Sequence, residues 1–340
     1  MAQFHTAHAM IRPVLRTCLW LTVGSTWFAS PSLADVVIDM TTIGNPGNAP
    51  DHPYPIQSYS VGDVDYIYQI GTYEVTVAQY TSFLNAAAKS DPYGLYNPLM
   101  GSGGGYGIPI ITQTGTDGSY AYTAATGTEN EPVRFVSLYN AARFCNWMAN
   151  GQGSSSTETG SYSMALGDVV TRGSNATWVV PTESEWYKAA YYSASNILYH
   201  TYPNGSDASP VAPTNGTTAR EMNFGDVPYW APNGPLQLYT GTGQTTGHSP
   251  YGVYDMGGNV SEWTESFSEG SARITRGGSF ISPAANLATT YQSPQDPSSY
   301  GDLLGFRVAD IIPEPTTLFF LLVALPLVLA ARLKSIQRPR

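Results

Sequence analysis

The sequence predicts an α+β domain that is poor in regular structure, and three observations lead to this fold class. Three short stretches carry apolar residues at helical spacing, each behind a capping residue, and several shorter apolar runs are typical of strands. Long segments between them are rich in Gly, Tyr, Thr and Ser, and the chain has 34 Gly and 25 Pro. About 280 residues between the two ends fit one large, irregular domain.

Each predicted helix begins after a residue whose side chain can cap free backbone N–H groups. These N-caps are Thr76, Ser137 and Thr182. Gln79 and Glu185 follow the two threonines by three residues, so each pair forms a capping box. The apolar positions then recur at helical spacing: Val77, Tyr80, Leu84 and Ala87; Leu138, Ala141, Ala142, Cys145 and Met148; and Trp186, Ala189 and Ala190. Asn150-Gly151 is a stop signal for the second helix.

Strands are predicted at both ends of the domain and once between the helices. Residues 35–69 are expected to be N-terminal edge strands around a Pro- and Gly-rich loop, because short apolar runs lie at 36–38 and 66–68. The other strand-like runs are 178–180, 251–263, 274–280 and 304–309.

Two long segments, residues 91–129 and 191–250, show no periodic pattern and are expected to be loops. The second is unusually long for a loop inside a domain. Such a segment needs an unusual stabiliser, and bound metal is one.

Residues 1–34 are predicted to be a secretory signal peptide. Arg12 and Arg16 form the basic part, residues 18–28 form a short apolar part, and Ser32-Leu33-Ala34 offers small residues for cleavage before Asp35. An uncut membrane anchor is the alternative. The apolar part is too short and too interrupted for a bilayer, which takes roughly 20 residues.

The C-terminal end of the chain carries a second targeting pattern. Pro313-Glu314-Pro315 precedes an uninterrupted apolar run at 318–331, and then a basic tail that ends at Arg340. This order resembles the PEP-CTERM sorting signal of Gram-negative bacteria. The resemblance implies processing of segment 311–340 by an exosortase, transient anchoring in the inner membrane by a transmembrane helix, and release to the cell surface, outer membrane or extracellular matrix. An ordinary C-terminal tail anchor is the alternative.

Charge and cysteine content limit the function of the part between these ends. Residues 35–312 hold nine Lys and Arg against 24 Asp and Glu, a net charge of −15. A domain this acidic repels phosphate backbones, which makes nucleic acid an unexpected partner. Cys145 is the single cysteine in this range, so an intrachain disulfide is not available.

Five segments carry a recognisable pattern: YEVTVAQYTSFLNA (73–86), PVRFVSLYNAARFCNWM (132–148), WVVPTESEWYKAA (178–190), YGVYDMGGNVSEW (251–263), and RGGSF with GFRVA (276–280 and 305–309). In this order they resemble the formylglycine-generating-enzyme, or sulfatase-modifying-factor, domain family, and the resemblance covers residues 70–310. The resemblance implies an irregular, loop-rich fold related to the C-type lectin fold, often with calcium.

The resemblance also implies a calcium loop within YGVYDMGGNVSEW. Carried over by position, its ligands are the side chains of Asp255 and Glu262 and the carbonyls of Gly258 and Val260. Calcium takes 6–8 hard oxygen ligands, so carboxylates and Gly-permitted carbonyls suit it. Turn capping without a metal is the alternative role for Asp255 and Glu262. A second family calcium site would fall near Asn223 and Phe224, but the Asp that should follow is not placed.

Most of the other signature residues are expected to be structural. Trp147, Trp186 and Trp263 are predicted core residues, and Cys145 a small buried hydrophobe. Arg276 and Arg307 are expected to satisfy buried carbonyls or carboxylates. Glu183 and Glu185 stand in the first turn of a helix, where the helix dipole favours acidic residues without any catalytic role.

The residues that the family uses for oxidation are missing. Formylglycine-generating enzymes hold copper with two cysteines just after the RGGS segment, and soft thiolates are the expected ligands of Cu(I). Here residues 279–305 contain no cysteine, so copper is not expected. The three histidines after the signal peptide, His52, His200 and His248, form no close pair, and no GxSxG motif is present.

The sequence therefore leaves two alternative functions. The first is a non-catalytic binding or structural module of the cell surface or matrix, with a glycan or protein as ligand. Residues 279–304 lie where the family builds its active-site cleft, and Tyr291 and Tyr300 in this segment suit a polar ligand as well as they suit a solvated loop. The alternative is a divergent oxidoreductase or another enzyme on the same scaffold, since fold alone does not decide function.

Overall fold

The helices begin where their capping residues predict. In the computed structural model, which describes residues 35–52, 59–164, 170–213, 218–225, 243 and 245–311, the helices are α1 (Val77–Ala87), α2 (Leu99–Ser102), α3 (Leu138–Ala149) and α4 (Glu183–Tyr191). Thr76 and Thr182 each accept a hydrogen bond from the backbone of the third helical residue, and both capping boxes are complete. Ser137 caps α3 through the N–H of Asn140. The three predicted helices are confirmed.

The strands are short and numerous. They are β1 (Met40–Ile43), β2 (Tyr68–Gly71), β3 (Ile111–Thr114), β4 (Ala121–Ala124), β5 (Trp178–Val179), β6 (Tyr192–Ser193), β7 (Leu198–Tyr199), β8 (Ser261–Phe267), β9 (Arg273–Arg276), β10 (Ser293–Gln295), β11 (Leu304–Gly305) and β12 (Ala309–Asp310). With short helices and long connections, this is the irregular, loop-rich α+β fold that the sequence predicts.

The first sheet joins the two ends of the domain. Its strand order is β1-β2-β12-β5, and every pair in it is antiparallel. The predicted strands at 36–38 and 66–68 are displaced toward the C-terminus, because the chain first pairs at Met40, and Val37 is 76% exposed. The N-terminal segment thus belongs to the same sheet as the last strand of the domain.

The second sheet has the order β10-β9-β8-β11, with β11 parallel to β8 and the other pairs antiparallel. Its strands come from the last third of the chain. The predicted strand at 251–263 is mostly turn, and regular pairing begins only at Ser261. This sheet supports the site described below.

Two hairpins lie in segments that were expected to be loops. Strands β3 and β4 pair over four residues each, and β6 pairs with β7 at the start of segment 191–250. The expectation for 91–129 was wrong: the strands are mostly polar and flank a turn that contains Asp117-Gly118, a combination typical of hairpins. In the described part of 191–250, the rest of the chain forms turns and isolated bridges.

Aromatic side chains from α1 and α3 form the centre of the core. Phe144 lies 5.4 Å from Phe83, 5.5 Å from Phe306 and 5.7 Å from Trp147, measured between ring centroids. Aromatic pairs of this kind contribute about 0.5–1.5 kcal/mol beyond the area they bury. Trp147, Trp186 and Trp263 are all at most 2% exposed, which confirms them as core residues.

Within the described residues, no helix is both long and apolar enough to cross a membrane. The predicted signal peptide and nearly all of the predicted sorting segment, including its apolar run, lie outside these residues.

Candidate functional site

A cleft of about 800 Å³ opens over the second sheet. Strand residues from all four strands line it, among them Ser261, Thr275, Ser293 and Leu304. Ser293 pairs directly with Thr275, and Leu304 pairs directly with Ser261. The sheet therefore supplies a floor on which short hydroxyl side chains from neighbouring strands stand side by side.

The loop after β9 forms one wall of the cleft. Gly278 has a φ of +68°, and its neighbours leave little room, because a Cβ there would lie 3.2 Å from the carbonyl oxygen of Asn286. The Ser282 hydroxyl accepts a hydrogen bond from the N–H of Ser279 at 2.9 Å and fixes the turn. This geometry places Ser282 and Asn286 on the cleft.

The opposite wall comes from a distant part of the chain. The N–H of Gly105 donates to the Asp302 carboxylate at 2.8 Å, and the ring of Tyr106 lies edge-on to Phe280 at 5.3 Å. Both contacts join the turn after α2 to loops of the second sheet, one before β11 and one after β9. Tyr106 and Gly105 line the cleft although nothing in the sequence near them predicted a site.

The polar groups of the cleft are hydroxyls and amides. Tyr291 and Tyr300, the two tyrosines singled out in the sequence, both line it. Within the described chain their hydroxyls, like the carboxamide of Asn286, form no hydrogen bond, so they are open to a ligand. Among the described residues that line the cleft, Asp302 is the only one with an ionisable carboxyl group, and none is His, Cys, Lys, Arg or Glu.

The thiol of the domain lies elsewhere. Cys145 is fully buried on α3 and packs in the apolar core, as predicted. Burial raises the pKa of this thiol well above its usual range, so it stays protonated and unreactive. The cleft segment carries Ser282 and Asn286 with no sulfur ligand. The donor set therefore does not fit the family's copper, and no step of its oxidation follows from this site.

The predicted calcium loop leads into β8, and its four predicted ligand residues are buried. The Asp255 carboxylate accepts hydrogen bonds from the Gly243 N–H at 2.5 Å and from the Thr245 hydroxyl at 3.1 Å. Burial raises the pKa of Asp255 to about 6, although these hydrogen bonds and the Arg307 charge oppose the rise. Gly258 donates its N–H to the Gly277 carbonyl.

Glu262, the other predicted side-chain ligand, is engaged by protein groups. Arg307 reaches both of its oxygens, with Nε–Oε2 at 2.5 Å and Nη2–Oε1 at 2.6 Å. The indole N–H of Trp186 donates to Oε2 at 2.9 Å. A calcium ion on Glu262 would have to share these oxygens with a guanidinium cation, and the two positive charges would repel each other.

The second predicted calcium segment packs against the first. The N–H of Asn259 donates to the Asn223 carbonyl at 2.8 Å, and their side chains are 3.2 Å apart. Across the described residues, no group of three or more His, Cys, Asp or Glu side chains is arranged to hold a metal ion. Calcium at Asp255, Gly258, Val260 and Glu262 thus stays a prediction.

The acidic pair at the start of α4 is structural. Glu185 pairs with Arg172 at 2.8 Å, and Glu183 pairs with Arg276. Arg276 also donates to the carbonyls of Thr289 and Tyr291, which ties the chain after β9 to the cleft wall. The expected role of Arg276 and Arg307 in satisfying buried oxygens is confirmed.

The profile of the family described as "Sulfatase-modifying factor enzyme 1-like domain" matches residues 44–312, so the chain belongs to this family. The match begins just after β1 and covers β2 to β12 and the cleft. It therefore includes part of residues 35–69, in agreement with the place of β2 in the same sheet as β12.

Known proteins similar to this chain differ widely in their descriptions. Serine/threonine-protein kinase pkn1 of Chlamydia caviae is 26% identical over 156 residues, 39% of this chain. The match spans only 22% of that relative's length.

Solved structures cover more of the chain at low similarity. Treponema denticola variable protein 1 is 20% identical with a TM-score of 0.49 and covers 80% of this chain and 94% of its own. CarF is 18% identical with a TM-score of 0.49 and covers 81% and 99%. PvdO from Pseudomonas aeruginosa is 18% identical with a TM-score of 0.43 and covers 81% and 92%. At these values the likenesses do not bear on the function of this chain.

Proposed function

We propose that this chain is an exported, surface- or matrix-sorted protein whose domain binds a polar ligand in the cleft and does not catalyse a reaction. The observation that carries the proposal is the chemistry of the 800 Å³ cleft, a volume within the range of ligand-binding pockets. Hydroxyls, a carboxamide and tyrosine rings line it, and these groups recognise polar ligands through hydrogen bonds and ring contacts.

The same residues argue against catalysis. Glycoside hydrolysis uses two carboxyl groups, and Asp302 is the one carboxylate among the described cleft residues. A serine nucleophile needs an adjacent base, and none of these residues is a histidine or lysine. The family's oxidation needs thiolates that the cleft does not have. A divergent oxidoreductase remains the alternative, and copper content discriminates between the two.

Retention of ligands by the purified, immobilised protein tests the proposal. The ligand source is an extract of the producing organism's extracellular matrix, with retained glycans and peptides identified by mass spectrometry. Gly301→Trp is a cleft-filling variant, because Gly301 lines the cleft and a Cβ there meets nothing within 4 Å. Gly44→Trp is the matched control, since Gly44 has equal space outside the cleft.

We expect saturable retention by the wild-type protein and by Gly44→Trp, and loss of retention in Gly301→Trp. Equal retention by both variants would move the binding away from the cleft. Stoichiometric copper in the purified protein, with turnover of a cysteine-containing peptide, would replace the binding function with the oxidoreductase alternative.

Export and sorting are supported by the residue patterns at the two ends of the chain. The partners they imply are a signal peptidase before Asp35 and an exosortase-type enzyme at Pro313-Glu314-Pro315. Mass spectrometry of the protein recovered from the cell surface tests this. An N-terminus at Asp35 and loss of the basic tail are expected, whereas an intact C-terminus at Arg340 would favour a tail anchor.

Calcium is a separate proposal on which the binding function does not depend. The carbonyls of Gly258 and Val260 and the Asp255 side chain are its best candidates, because Glu262 is held by Arg307. A calcium-dependent rise in melting temperature that Asp255→Ala abolishes would support it. An unchanged melting temperature in excess chelator would remove it.

A further inference from the structure

We propose that the cleft is one part of a longer groove and that the ligand is a neutral, linear polysaccharide lying across both parts. This inference rests on the binding function proposed above and names its ligand class. A second pocket, of about 300 Å³, shares Tyr300 with the cleft as a lining residue. The neighbouring residues Ser298 and Ser299 divide between the two, with Ser298 on the second pocket and Ser299 on the cleft.

Tyr300 forms the junction between the two pockets. It is 55% exposed and lines both depressions, so a ligand that occupies both pockets lies against it. The negative face of a tyrosine ring attracts the C–H groups on the face of a sugar ring, and the phenol adds a hydroxyl that can donate and accept.

The second pocket repeats the chemistry of the cleft. Tyr93, 48% exposed, and Tyr139 line it together with the carboxamide-bearing Asn97. The one cation among its described lining residues, Arg143, is paired with Glu158 at 2.7 Å and 3.2 Å and lies 4.8 Å above the Tyr93 ring. The guanidinium is thus neutralised and holds the tyrosine in place, and the pocket offers rings and amides beside a compensated charge.

Charge favours a neutral polymer over an acidic one. Residues 35–312 carry a net charge of −15, which repels uronate- or sulfate-bearing chains. With the carboxylate of Asp302 at the cleft and Arg143 compensated, the described residues of the groove offer no uncompensated cation to recognise an anion.

The sheet edge beside the cleft favours a polysaccharide over a peptide. An extended peptide commonly binds by adding a strand to an open edge through main-chain hydrogen bonds. Here one edge strand is β10, which is three residues long and has Pro294, without an N–H to donate, at its centre. The other edge strand, β11, is only two residues long. Neither edge offers a run of main-chain groups for a peptide strand, so recognition falls to side chains, and those present suit sugar hydroxyls and ring faces.

Calorimetric titration of the purified full-length protein tests the proposal. The probes are neutral gluco-, manno- and galacto-oligosaccharides of one to eight units, alginate as a polyanionic chain, and a Ser/Thr-rich decapeptide. We expect at least one neutral series to bind with affinity that rises with length beyond the shortest members. Tyr300→Ala should weaken the longest member at least tenfold, while Tyr300→Phe, which keeps the ring, should stay within threefold of wild type.

Tyr93→Ala tests whether the second pocket contributes to binding beyond the cleft. It should weaken binding of the longest oligosaccharide at least fivefold and leave binding of the shortest members unchanged, with Val37→Ala as an exposed control that changes neither.

Affinity that does not depend on length, or no effect of Tyr93→Ala, would overturn the proposal of a groove and leave cleft binding intact. Binding of only the decapeptide or alginate would overturn the ligand class, again with cleft binding intact. If none of the probes binds although the matrix extract yields a cleft-dependent ligand, the polysaccharide proposal is wrong; if the extract also yields none, the binding function fails with it.

Discussion

Arg307 and Glu262 are 45 residues apart in the sequence, yet their fully buried side chains meet through two parallel hydrogen bonds. The Glu262 carboxylate balances a guanidinium that also donates to the carbonyls of Gly71 and Tyr254. One ion pair thus joins β8, the turn before it, the end of β2 and the segment before β12. The junction thus brings the GFR and SEW segments of the sequence into direct contact.

Removing one partner of this pair should be costly. Glu262→Gln leaves Arg307 buried without its full counter-charge, and loss of one partner of a buried ion pair costs about 3–5 kcal/mol of folding free energy. Urea unfolding of the wild type and the variant measures the difference, with Ser261→Ala on the same strand as control. A loss below about 1 kcal/mol would show that the pair contributes little net stability.

How far the sequence could predict the molecule depends on the range of each signal. The helix starts at Thr76, Ser137 and Thr182 could be predicted because a cap and its partner lie within one turn of each other. Hairpin β3–β4 was missed because its strands lack an apolar alternation strong enough to stand out, although the Asp117-Gly118 turn signal was present.

The site was only partly predictable for the same reason. Tyr291 and Tyr300 lie in one segment next to a recognisable motif, so sequence alone could place them on the cleft. Tyr106 and Tyr93 join the site through contacts between segments that are far apart in the sequence, and no local pattern records such contacts. The pairing of Glu262 with Arg307 was equally invisible, because the two residues are 45 positions apart and no local pattern joins them.

Gly258 tests how closely the predicted calcium loop packs against the 223 segment. Its φ is +84°, and a Cβ there would lie 2.1 Å from the Asn223 carbonyl oxygen. Gly258→Ala should therefore lower the stability by about 1–3 kcal/mol more than Gly270→Ala. Gly270 is the matched control because its φ is +62° and a Cβ there meets nothing within 4 Å. Equal losses in thermal or urea unfolding would mean that the 223 segment moves aside freely.

The Cys145 thiol should not react in the folded protein. It is fully buried, and its raised pKa keeps it protonated at neutral pH, whereas the thiolate is the reactive form. In a Cys18→Ser background, Ellman's reagent should modify no thiol until denaturant is added, and then one. Rapid modification under native conditions, or Cu(I) bound in a way that Cys145→Ala abolishes, would contradict this.

Lys188 should give the domain a characteristic dependence of stability on pH. Its ammonium is buried on α4 and donates to the carbonyls of Asn45 and Val64, and burial lowers its pKa from 10.5 to about 8, although Asp65 opposes the shift. Between pH 8 and 10.5 the unfolded chain binds a proton at this position that the folded chain does not. Stability contributed by this group therefore rises with pH across that window.

Replacing the amine isolates this contribution from that of the tyrosines, whose raised pKa values act in the opposite direction and only above pH 10, where the unfolded chain would lose its phenol protons. On that account the tyrosines lower the stability as the pH rises, and the window below pH 10 avoids them. In Lys188→Met the titrating group is gone. The free energy of unfolding of the wild type should therefore increase relative to that of the variant from pH 7.5 to 9.5.

Lys89→Met, at an exposed lysine, is the control. Its free energy of unfolding should change with pH in the same way as that of the wild type. Urea unfolding at four pH values measures both differences. A constant gap between wild type and Lys188→Met would mean that the buried amine titrates as it does in water, and that Asn45, Val64 and Asp65 together offset the cost of its burial.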